Sequence, residues 1–239
     1  MVSWKRTVGL TAMFVALAVV SFAAEGEAPA GRRGARGGGL SPEEQAKLTK
    51  ASATMVAKFV AKEVGLAADK TDKFVSDYVG AREAASKLTA ELRKSGDTEK
   101  MRGAFTESQK AMDAVLTGSL SEDQAKKARA LIGTGFGGMQ GLEQSVSVLL
   151  QAKVEDAKIE KALPILAKYN AASSDLRAKV RANEISQEDM TAKVKELRAA
   201  TAKDLAPIIG EEAATTWSER AGRGGGGRRG GGGGAQKAP

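Results

Sequence analysis

Leu120-Ser121-Glu122-Asp123-Gln124 is the stretch whose reading decides the fold. Ser121 and Gln124 stand in capping-box register. The hydroxyl accepts from the backbone N–H three residues on, and the amide reaches back to the serine N–H, so two donors orphaned at a helix start are satisfied. A similar start lies 80 residues upstream in Leu40-Ser41-Pro42-Glu43-Glu44, with Pro42 at a first-turn position that tolerates proline. A degraded third start, Ile209-Gly210-Glu211-Glu212, follows 89 residues downstream of Leu120. Three starts at near-even spacing imply one helical unit written twice.

Outward from the motif the apolar period stays helical. A first helix is predicted over about 42–64, burying Leu48, Met55 and Phe59, with Gly65 breaking it. A second, over about 68–94, sets Phe74, Tyr78, Ala81, Ala85, Leu88 and Leu92 at alternating steps of four and three, the seam of helices crossing at shallow angles. Asp97 caps a third helix carrying Met101, Phe105, Ser108, Met112 and Val115. Downstream, a short helix from Ser121 ends at Gly133, and Leu142, Val146 and Leu149 mark the next. A long helix carries Ile159, Ala162, Leu166, Tyr169, Ser173, Leu176 and Val180, and Ser186 with Asp189 caps the one after it. An offset of 88 carries Phe74 to Ala162, Tyr78 to Leu166 and Leu88 to Leu176; an offset of 89 carries Met101 to Met190 and Phe105 to Val194. Pro164 inside the long helix predicts a kink or a broken first turn. Trp217 is expected to pack back on the bundle from a short terminal helix.

Turns this short make successive helices antiparallel neighbours. The expected fold is therefore all-α: duplicated helical-hairpin or three-helix units, residues 40–119 and 120–220, forming an antiparallel bundle.

Composition narrows the chemistry. The chain has no histidine and no cysteine, which removes the usual general base, the thiol nucleophile and the nitrogen and sulfur ligands of zinc sites. No loop gathers carboxylates at calcium-site spacing. Asp156 and Glu160, one helical turn apart, read as a solvated stripe before they read as an acid–base pair. Gly133-Thr134-Gly135-Phe136-Gly137-Gly138 has the spacing of a dinucleotide fingerprint, but a helix precedes it where that motif needs a strand; it reads as a helix end and a connection, or a hinge between the copies. No cofactor, no metal and no catalytic residue is expected.

The termini differ from the middle. Lys5 and Arg6 followed by a mostly apolar run, Val8 to Val20, and small residues at Ser21-Phe22-Ala23 read as an export signal over 1–23; the alternative is an uncleaved membrane anchor. Residues 24–39 and 221–239 are Gly/Arg-rich stretches with almost no apolar side chains to bury, expected to be disordered. The net charge of +8 resides in these flanks, because residues 40–219 carry 27 basic and 27 acidic side chains. Arg220, Arg223, Arg228 and Arg229 are candidates for contact with a polyanion (an anionic envelope polymer, nucleic acid or acidic lipid), though no aromatic after Trp217 is available to stack on bases.

At Leu120-Ser121-Glu122-Asp123-Gln124 the chain resembles the LTxxQ-motif proteins of the bacterial envelope, the Spy- and CpxP-like group, with serine in place of threonine. The resemblance implies an exported, all-helical protein of the periplasm or cell envelope. It also implies a homodimer, and an ATP-independent chaperone or a modulator of envelope stress as the function. The expected partners are unfolded clients or another envelope protein, held by apolar contact through adaptable Met and aromatic side chains. The second expectation is a structural or adaptor protein tethered through its Arg/Gly tails. An exposed apolar groove favours the first; a sealed core favours the second.

Overall fold

The computed structural model describes residues 40–95, 98–133 and 141–223. The leader, the Gly/Arg-rich flank before Leu40, Asp97, most of the glycine-rich connection and the tail beyond Arg223 lie outside the described residues. All regular structure among the described residues is helical: α1 (Pro42–Glu63), α2 (Ala68–Ser95), α3 (Thr98–Ser119), α4 (Glu122–Ile132), α5 (Gly141–Gln151), α6 (Asp156–Arg181), α7 (Gln187–Ile209) and α8 (Glu211–Arg223). None of these helices is long and apolar enough to cross a membrane.

Local chemistry sets the helix ends. Ser41 and Glu44 form a complete capping box on α1, with Glu44 N donating to Ser41 Oγ at 3.2 Å and Ser41 N to the Glu44 carboxylate at 2.8 Å. Those two bonds hold the Glu44 carboxyl below its usual range. Ser121 and Gln124 do the same for α4, at 3.3 and 3.0 Å. At α7, Asp189 N donates to Ser186 Oγ at 2.9 Å, and the hydroxyl donates to the Asp189 carboxylate, which lowers its pKa.

The closing turns of α1 and α5 are superimposable in their bonding. Leu66 N donates to Ala61 O and Gly65 N to Lys62 O; 88 residues on, Val154 N donates to Leu149 O and Lys153 N to Leu150 O. Both are the paired bonds of a Schellman end, which needs a left-handed residue. Gly65 supplies it at φ +68°, Lys153 at φ +57°. Pro164 lies within α6, which continues past it without a break.

α2 packs along α1 and α3, and α7 along α6 and α8; α5 is the hub, touching α1, α4, α6 and α8. All eight helices contribute to a single apolar core, including Val56 and Val60 of α1, Phe74 of α2, Leu116 of α3, Ile132 of α4, Leu142 and Leu149 of α5, Leu163 and Leu166 of α6, Leu205 of α7 and Trp217 of α8. The units read from the sequence therefore share one interior. Trp217 is fully buried and meets Tyr169 edge-on at 5.0 Å, a favoured aromatic geometry.

The seam holds along half its length. Phe74, Tyr78 and Ala85 are buried as expected, but Leu88 is 38% exposed and Leu92 half-buried. Met101 and Phe105 of α3 are also half-buried, as are Leu48 and Met55 of α1. The same fading occurs on the other hairpin, where Leu176, Val180, Met190 and Val194 are half-buried. Beyond the core each hairpin is only two helices thick, so a stripe that would be covered on two sides in a bundle is covered on one.

Lys153 occupies the backbone conformation that Gly65 adopts without a Cβ penalty, roughly 1–2 kcal/mol for an L-residue. Lys153→Gly should accordingly raise the unfolding free energy by about 1 kcal/mol in urea titrations, after allowing for glycine's greater unfolded-state entropy.

Candidate functional site

Gln124 does more than close its capping box. Its Oε1 accepts from Ser121 N, while its Nε2 donates to Val64 O at 3.1 Å and Gly65 O at 3.4 Å, 60 residues away at the end of α1. Lys127, one turn on, donates to Glu63 O. The first turn of α4 thus satisfies carbonyls that α1 cannot bond internally, and the lysine charge lies at the negative end of the α1 dipole. An amide is the side chain for this position because it accepts on one atom and donates on the other. Glu44, the matching residue of the upstream box, accepts only. In the second half, Arg220 of α8 bonds the side chain of Gln151, which lies 88 residues after Glu63. Arg220, expected at a polyanion surface, is thereby tied to the end of α5. The Arg223 side chain and residues Arg228 and Arg229 lie outside the described residues. Leu120 is buried beneath the α4 start, whereas Leu40 is exposed above the α1 start. Asp156 and Glu160 are exposed on α6, and no group of three or more carboxylates, histidines or cysteines able to hold a metal occurs among the described residues.

A second constellation, unforeseen from the sequence, lies inside the core. Glu143 in the first turn of α5 is 1% exposed. Its Oε1 accepts from Tyr78 Oη at 2.5 Å and its Oε2 from Arg82 Nε at 2.6 Å, both partners being on α2 and themselves buried. Burial pushes the Glu143 carboxyl above its ordinary range, while the arginine charge and both hydrogen bonds pull the other way. Burial and the carboxylate beside it push the Tyr78 phenol well up, which keeps it a donor. Asn170 of α6, 88 residues after Arg82, lies against the same turn: a Cβ on Gly141 would fall 2.9 Å from Asn170 Oδ1, and one on Gly133 3.2 Å from Asn170 Cβ. The chain thus has glycines at the two positions, Gly133 and Gly141, where it passes close to Asn170. The buried Asn170 Nδ2 has no hydrogen-bond partner among the described residues.

One sign of this centre was present in the sequence: Glu143 is the sole charged residue in α5, Gly141–Gln151, most of which is buried. Arg82 carries no such sign, because an arginine four residues after Tyr78 looks like any solvated charge until α5 arrives. Comparisons with protein-family models, curated proteins and solved structures give no match.

Gln124→Glu keeps an acceptor for Ser121 but loses the donor to α1 and sets a carboxylate at its negative end; it should cost about 1–2 kcal/mol in a denaturant titration. Arg82→Met, which leaves a buried carboxylate, should cost about 3–5 kcal/mol, whereas Arg82→Met with Glu143→Leu and Tyr78→Phe, which removes all three polar groups together, should recover most of that loss. A triple variant no more stable than Arg82→Met alone would contradict it. Because the folded pKa of Glu143 is raised from 4.5, the native state holds its proton where the unfolded chain has released it. The contribution is complete below 4.5 and lost as pH rises through the folded value. Wild type should gain on Glu143→Gln as pH falls from neutrality.

Proposed function

We propose that this is a non-enzymatic, exported helical protein of a bacterial envelope that works as a structural or adaptor element through its polar surface, its Arg/Gly-rich flanks contacting anionic polymer. The observation that carries this reading is the sealed apolar interior. Leu40 and Leu88 are the large apolar side chains that stand exposed on the described surface. Holding an unfolded client by apolar burial gains about 25 cal/mol per Å² of area covered, so it needs a contiguous apolar face already open to solvent. Scattered single side chains do not supply one. A run of helices that shares one interior suits a spacer between its two flanks.

A second reading, the ATP-independent chaperone or envelope-stress modulator implied by the motif, has its own support. Met101, Phe105, Met190 and Val194 are half-buried at the two hairpin ends, where only one neighbour covers them. Clients would bind there by separating the helices.

The two readings divide in one pair of measurements on the mature chain. The adaptor reading expects retention on an immobilised anionic polysaccharide that falls with salt and is lost when residues 224–239 are removed. It also expects no suppression of aggregation of a denatured test protein at equimolar ratio. Salt-independent absence of retention together with suppressed aggregation reverses the assignment.

A further inference from the structure

We infer that Tyr78, Arg82 and Glu143 form a latch that holds the α2–α3 hairpin against α5, and that this hairpin is the segment of the fold constructed to open. The two hairpins correspond in sequence offset but not in how they are anchored. α6 packs against α1, α4 and α5 as well as α7, and buries Ile159, Ala162, Leu163, Leu166 and Ala167. α2 packs along α1 and its own partner α3, and its buried apolar side chains reduce to Phe74, Tyr78, Val79 and Ala85; α3 adds Ala104, Met112 and Leu116 and meets the short α4, where Arg129 pairs with Asp113. The bonds that tie α2 to α5 are polar: the phenol and the guanidinium on one carboxylate, at 2.5 and 2.6 Å.

The residue types at corresponding positions follow that difference. Where α6 has Leu166 and Asn170, α2 has Tyr78 and Arg82, 88 residues earlier. A charge-assisted pair in a dry interior is either made or both its groups must be hydrated. That all-or-none property gives a two-state element. When the latch is open, the buried side of α2, with Phe74 and Val79, comes within reach of water, an apolar face that the closed form hides. This inference stands apart from the adaptor reading, since a spacer can also carry a hairpin that opens.

The test is amide hydrogen exchange by mass spectrometry on the full chain, with Glu143→Gln as the principal variant and Tyr78→Phe, which keeps the ion pair, as the milder one. Glu143→Gln should speed exchange across residues 68–119 at least tenfold while residues 156–209 keep their wild-type rates. Tyr78→Phe should give the same pattern with a smaller factor, and binding of an apolar fluorescent dye should rise in the same order. The α6–α7 hairpin is the internal control: a general loss of stability would accelerate both hairpins together. Parallel acceleration of the two, or unchanged exchange in residues 68–119 in both variants, overturns the latch.

Discussion

A carboxylate removed from water has to be answered by its surroundings, and in this protein the answer comes from α2. Glu143 sits in the first turn of the most buried helix, where no water can solvate it, and the Tyr78 hydroxyl and Arg82 guanidinium supply the bonds that water would have made. An isolated charge there would cost several kcal/mol. The position of α2 relative to α5 is therefore set to within hydrogen-bond geometry. Because α1 packs on both α2 and α5, and α5 on α4, α6 and α8, fixing this one spacing constrains the register of the whole core.

Around that centre the fold is assembled from helix ends that complete one another. α4 begins where α1 stops, and Gln124 and Lys127 use donors from the new helix to satisfy carbonyls of the old one. Arg220, near the end of α8, reaches the last residue of α5 differently, through the Gln151 side chain. A capping box is a local device, but here its glutamine also carries a long-range contact. That accounts for an amide at the position where Glu44 suffices upstream.

The exterior follows from the thinness of the hairpins. A bundle hides its seam on every side, whereas two helices projecting from a core hide it on one, so Leu88, Leu92, Met101 and Phe105 lie between buried and solvated. The surface remains largely polar for all that, with exposed pairs such as Lys47–Glu43 and Lys110–Glu107 along the helices. Such pairs contribute little to stability but keep apolar area from joining into a patch.

Helix identity and helix ends were legible in the chain alone, because they rest on interactions between residues three to five apart. The caps at Ser41, Ser121 and Ser186 and the break at Gly65 all lie where local rules put them. The tertiary structure alone decided which charges leave water and which apolar seams stay partly wet. Arg82 and Glu143 are 61 positions apart, and nothing within a helical turn of either announces the other. Leu88 obeys the same period as Phe74, yet ends up exposed, because periodicity names the face a residue occupies but not whether a neighbouring helix extends far enough to cover it.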